Sequence, residues 1–185
     1  MNYNNFLLDY LEDAVTSFQK MKSQAESAIV QVSDRDFFVP LDFDANSVAH
    51  LMKHMAGNAR SRWVDFLTSD GEKPNRNRDS EFKIEAHESR EEITAAWETG
   101  WQILFDTLRR IEPHNFNDSV YIRNETHSIM QAINRQLTHY AYHVGQIVFI
   151  AKHHSGSDWH TLSIPRDESE SFNEMMRGKN AANRK

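Results

Sequence analysis

The sequence contains no cysteine. Disulfides, thiolate metal ligands and a protein-borne sulfur nucleophile are thereby excluded, so any thiol chemistry needs a thiol from the substrate. A surplus of basic charge is also missing: 21 Lys and Arg stand against 27 Asp and Glu, a formal net charge of −6. Binding nucleic-acid phosphate requires an excess of Lys and Arg on one face, so no nucleic-acid role is expected. No apolar run nears the roughly 20 residues that span a bilayer. The start, Met1-Asn2-Tyr3-Asn4-Asn5, lacks the positive charge and apolar block of a signal peptide. Cytoplasm is the expected compartment.

What is present is an ordinary globular composition, 39% hydrophobic and 26% charged, in 185 residues. That length suits one domain with a core of its own. Four segments carry helical period. The first spans 3–31 on Phe6, Leu7, Tyr10, Leu11, Ala14, Val15, Phe18, Met21 and Ala25. The second spans 46–69, with Asn46 or Asp44 as N-cap, on Val48, Leu51, Met52, Met55, Ala59, Trp63 and Phe66. Ser69-Asp70-Gly71 ends it, and a polar connection runs to about residue 88. Ser89, with Glu92 three residues on, reads as a capping box for the third helix. Its stripe is Ile93, Trp97, Trp101, Leu104, Phe105 and Leu108, ending by Pro113. A short extended piece, Val120–Ile122, precedes the fourth helix, 127–154, which Gly156 ends.

The fold class predicted is all-α, a four-helix bundle over 3–154 whose long second connection permits a crossover. In the tail, 155–185, Trp159, Leu162, Ile164 and Pro165 are expected to pack back on the bundle. Residues 168–177 are expected to form a short helix, and 178–185 to fray.

The chemistry lies in the placement of ten histidines. His139 and His143 are four residues apart, so both imidazoles share one face of the fourth helix. At ~100° per residue, His54 lies about 110° from the centre of the second helix's core stripe and His50 about 150° away. His54 is thus the inward candidate, and His50 is expected to face water. His143 and His139 lie about 85° and 125° from their own stripe centre, with Gln136 and Gln146 nearby. Three histidines from two helices can therefore meet at one edge of the core, leaving an ion an open position. A lone histidine on a helix flank is more often a hydrogen-bonded surface residue. His153 and His154 suit a helix C-terminus, and His87, His114, His127 and His160 lie in links. The tryptophans and Met52 with Met55 read as core. Arg76, Asn77, Arg78 and Asp79 read as a solvated loop, although an Arg pair beside a pocket can hold an anionic group.

With the helices and histidines laid out, the chain resembles the DinB/YfiT-like superfamily of bacterial four-helix proteins, and within it an uncharacterised branch. The resemblance rests on Asn46-Ser47-Val48-Ala49-His50-Leu51-Met52-Lys53-His54-Met55-Ala56-Gly57-Asn58, on Ser61-Arg62-Trp63 and on Asp70-Gly71-Glu72-Lys73-Pro74. It continues in Arg76-Asn77-Arg78-Asp79-Ser80-Glu81-Phe82, His139-x-x-x-His143-Val144-Gly145-Gln146-Ile147 and Leu162-Ser163-Ile164-Pro165. It implies a bundle in up-down-down-up order, homodimers, and a divalent metal on His54, His139 and His143. Asp167 stands where the resemblance leads one to expect glycine.

Characterised relatives in that superfamily include thiol S-transferases and a thiol-dependent isomerase. The first expectation is therefore a metal-dependent transferase that uses a low-molecular-weight thiol. Three neutral imidazoles leave the ion's charge uncompensated, so a thiol bound to it loses its proton more readily. Imidazole nitrogen suits zinc, nickel, iron and copper alike, so the sequence does not choose the ion; zinc or nickel is expected first, with iron a further option. No general base is evident; Gln136, Tyr140 and Asn58 are placed to orient a bound group. Two alternatives stand beside this reading. A metal-dependent hydrolase would want a carboxylate near the ion, and no HExxH is present. A non-catalytic metal- or ligand-binding bundle would act through a partner or as a dimer.

Overall fold

The computed structural model describes residues 3–182 and is mostly helical. Four long helices dominate: α1 (Tyr3–Ile29), α2 (Val48–Trp63), α3 (Arg90–Arg109) and α4 (Ile129–Ser155). A hairpin of β1 (Ser119–Ile122) and β2 (Glu125–Ser128) precedes α4, and α5 (Ser169–Ala182) closes the chain. The main helix contacts run α1 to α4, α4 to α2, α2 to α3 and α3 back to α1. The predicted stripes meet inside this ring: Phe18, Leu51, Met52, Leu104, Ile133 and Ile147 are fully buried. At its centre Trp101 and Phe18 present edges to Tyr140, with ring centroids 5.0 and 6.0 Å away. No helix among the described residues is long and apolar enough to cross a membrane.

Serine starts three of the helices in the same way. Ser47, Ser89 and Ser128 each accept a hydrogen bond from the backbone N–H three residues on, and that residue's side chain accepts one from the serine's own N–H. Ser89 with Glu92 fulfils its expectation. For α2 the cap is Ser47 rather than Asn46 or Asp44, and the reciprocating residue is His50. α2 also ends earlier than its period suggests. Val64 is extended and Asp65 takes a left-handed φ of 50°, so the chain leaves the helix at Trp63. Phe66 nevertheless stays buried, its ring 4.7 Å from that of Trp63. Hydrophobic period persisted where helical backbone did not. Gly156, with φ 53°, ends α4 as expected.

Two connections position the site. Residues 64–89 fold back over α2 and place a 3₁₀ turn, Arg78–Phe82, against it. The hairpin turns on Arg123 and Asn124, both with φ near 60° (57° and 61°), as a two-residue type I′ loop requires. The Asp70 carboxylate accepts the backbone N–H of Arg123 at 2.9 Å and of Asn124 at 2.7 Å. The N–H of Gly71 donates to the carbonyl of Tyr121 at 2.8 Å, so the hairpin is pinned to the start of the α2–α3 connection. β1 covers the expected Val120–Ile122; β2 lacks an apolar alternation and carried no signal.

In the tail, Trp159 and Leu162 pack on the core as expected, while Ile164 is 37% exposed and Pro165 is exposed. Asp167 adopts a φ of 65°, the conformation that glycine takes most easily. The expected short helix is α5, which runs on to Ala182; residues 183–185 lie outside the described residues.

Candidate metal centre

α2 and α4 bring His54, His139 and His143 together, with one ring nitrogen of each within 4.8 Å of the others. The Nε2 of His139 lies 3.4 Å from that of His54 and 3.0 Å from that of His143. A tetrahedral ion bound at 2.0–2.1 Å would hold its nitrogens about 3.3 Å apart. The spacing therefore fits a three-nitrogen site. His54 and His143 are buried, and His139 forms the half-buried third corner.

The far nitrogens explain why the near ones converge. Nδ1 of His54 donates to Oε2 of Glu81 at 2.8 Å, and Nδ1 of His143 lies 2.9 Å from Oε1 of Gln146. With their protons engaged on Nδ1, both rings turn a bare Nε2 lone pair toward His139. His139 has one proton for its Nε2 at most and cannot satisfy both contacts. A cation satisfies all three at once. The electrostatics agree. Burial first, then the charges of His143, His54, Arg62 and Arg76, lowers His139 to about 3. Burial, with smaller contributions from His54 and Arg78, lowers His143 to about 4 against the raising hydrogen bond to Gln146. Both are unprotonated at neutral pH, as ligation requires.

Behind His54 lies a network absent from the sequence reading. Arg76, with its side chain 5% exposed, donates through Nε to Glu81 Oε1 at 2.8 Å and through NH2 to Oε2 at 2.9 Å. Its NH1 donates to Glu72 at 3.1 Å. Burial by itself would raise the Glu81 carboxyl; hydrogen bonds from His54 and Arg76 outweigh it and hold the group below its ordinary value. Phe82 stacks on the His54 ring, centroids 4.5 Å apart. The Arg76–Asp79 segment, expected to be a solvated loop, thus contributes a buried arginine and leads into the turn that orients His54. This is also why His54 is only 2% exposed although its wheel angle put it on the flank. One signal was available in the sequence. A Cβ on Gly57 would lie 2.5 Å from Glu81 Oε1, so this mid-helix glycine marks where the carboxylate crosses α2.

The other histidines stay apart from the cluster. His50, expected to face water, is half-buried because its Nδ1 accepts the Ser47 N–H at 3.2 Å. His154 reaches the carbonyl of Val39 and His127 that of Glu125. The three residues suggested to orient a bound group divide. Asn58 and Gln136 face the histidine cleft, Gln136 donating to Asn58 at 2.9 Å. Tyr140 is fully buried, and its hydroxyl donates to the carbonyl of Met55, so it is committed to the core.

The three histidines open onto a cleft of about 540 Å³ whose further walls are Arg62, Arg76, Arg78, Arg123, Arg135, Thr138 and Tyr142. No carboxylate lines it among the described residues. No curated protein and no solved structure matches the chain. A family described as "Protein of unknown function (DUF1572)" matches residues 5–168, a span that contains every residue of this cluster. The chain belongs to the DUF1572 family.

Proposed function

We propose that His54, His139 and His143 hold a divalent transition-metal ion and that the protein is a metal-dependent transferase acting on a low-molecular-weight thiol. The observation that carries the metal is the meeting of three Nε2 atoms, two of them with Nδ1 already engaged. When bound, the ion supplies Lewis acidity that lowers the pKa of a thiol. Imidazole nitrogen suits zinc, nickel, iron and copper alike; zinc and nickel are the ions proposed first, with iron a further option. The resemblance to DinB/YfiT-like proteins supplies the thiol; with it come a four-helix bundle in up-down-down-up order and a homodimer.

The chain's own residues support transfer over hydrolysis. Glu81 is the carboxylate nearest in role, yet it faces Nδ1 of His54 and is held by Arg76 on the side away from the converging nitrogens. With no carboxylate in the cleft lining, a carboxylate general base has no candidate among the described residues, which counts modestly against hydrolysis. Asn58 and Gln136, already paired, are placed to orient a ligand at the floor of the cleft.

The test is turnover by zinc- or nickel-loaded protein of small thiols paired with soft electrophiles, against His143→Ala. Metal-dependent turnover lost in the variant supports the reading. Metal bound without turnover of any thiol pair would leave the non-catalytic binding reading in its place.

A further inference from the structure

Arg62 is 93% buried, being 7% exposed, and its guanidinium makes no hydrogen bond among the described residues; NH1 is wholly shielded and without a partner. Burial, then the charge of Arg76, lowers it to about 10, with Arg135 and Arg123 adding to the repulsion. A buried arginine ordinarily has a carboxylate on its fork, because an unpaired charge out of water is costly. Here the nearby acids are already engaged. Glu72 serves Arg76 and Arg123, and Glu81 serves Arg76 and His54. Asp70 accepts three backbone N–H groups, from Glu72, Arg123 and Asn124. Arg62 and Arg135 both line the histidine cleft without an ion-pair partner among the described residues.

Arg123 adds an independent observation. It holds a left-handed φ of 57°, which is unfavourable for a residue with a Cβ and is normally met by Asn, Asp or Gly in a type I′ turn. The turn keeps an arginine there, anchored from behind by Asp70, with its side chain on the cleft wall.

From the unpartnered buried guanidinium of Arg62 and the five arginines among the residues that line the cleft, with no carboxylate beside them, we infer that the cleft is a binding site for an oxyanion. Arg62 is its buried seat, and Arg123 and Arg135 close over the bound group. The ligand is a small molecule with a carboxylate or phosphate at one end, long enough for its other end to lie at the histidine cluster. Its standing as a substrate rests on the metal-centre reading; the anion site itself does not. Guanidinium forks match both anions in geometry and charge, so the two sources are separated by experiment.

The experiment measures, by calorimetry, the affinity of inorganic phosphate and of succinate for zinc-loaded protein, for Arg62→Met and for Arg135→Gln, with metal content determined on each sample. At least one anion is expected to bind wild type, at least tenfold more weakly to Arg62→Met and several-fold more weakly to Arg135→Gln, at unchanged metal content. Preference for phosphate assigns a phosphoryl ligand and preference for succinate a carboxylate. Because Arg62→Met also removes an unpaired buried charge, its ligand-free melting temperature is expected to equal or exceed that of wild type. Binding of neither anion, or equal binding in wild type and both variants, overturns the site while normal metal content leaves the metal centre standing. Should Arg62→Met fail to fold, unchanged anion affinity in Arg135→Gln overturns it alone.

Discussion

Nδ1 of His54 and Oε2 of Glu81 are 2.8 Å apart, and the carboxylate in turn accepts two hydrogen bonds from Arg76. The pair sets which nitrogen of His54 carries its proton and therefore which one faces the cluster. Carboxylates of this kind behind a ligating histidine raise its basicity, and their removal costs about 10–100-fold in metal affinity. Glu81→Gln is expected to weaken zinc binding by that order while the helices keep their far-UV circular dichroism. A competition titration with a chromogenic chelator measures it, and an affinity equal to wild type would show that Glu81 does not support the site.

Gly57 admits that carboxylate to the surface of α2. A methyl group at this position would approach Glu81 to 2.5 Å, too close for either to stay. Gly57→Ala removes a helix-weakening glycine, worth about 1 kcal/mol by itself. It is nevertheless expected to lose metal affinity as Glu81 is displaced. Full affinity combined with a raised melting temperature would mean the carboxylate moves aside without consequence.

His50 belongs to the cap of α2 and not to the cluster. Its Nδ1 accepts the N–H of Ser47, closing the capping box. His50→Ala is expected to destabilise the fold by about 0.5–1 kcal/mol, as loss of half a cap does, and to leave metal content unchanged. Denaturant unfolding and elemental analysis of the same preparation check both parts.

Metal-free protein is expected to lose stability on acidification. Burial, with neighbouring His and Arg charges, places His139 at about 3 and His143 at about 4, against an ordinary 6.5. Between pH 4 and 6.5 the unfolded chain then binds more protons than the folded one, so stability rises with pH across that window. The melting temperature of the apo protein falls from pH 7 to 4.5 by more than that of His139→Gln/His143→Gln, whose side chains do not titrate. Parallel curves for the two proteins would contradict the lowered values.

Much of the fold was legible because its residues announce themselves locally. Ser89 with Glu92, Gly156 and the stripes of four helices obey period and capping rules that act within one or two turns. The three histidines were legible for the same reason, since wheel angles place them on facing flanks. What failed to show was tertiary. The exit of the chain at Asp65 and the β2 strand carry no periodic signal. Arg76, Glu81 and Phe82 sit in a polar stretch whose burial arises only because the α2–α3 connection folds back on α2. Arg62 lies in a quoted motif, yet nothing local reveals that its guanidinium is buried without a partner.

Whether His54, His139 and His143 hold one metal ion is decided by elemental analysis of untagged protein, as purified and after incubation with zinc or nickel, beside His54→Ala and His143→Ala. About one transition-metal ion per chain, lost in both variants while their helical signal persists, is the predicted result. Full occupancy in both variants, or no metal in wild type after incubation, would contradict it.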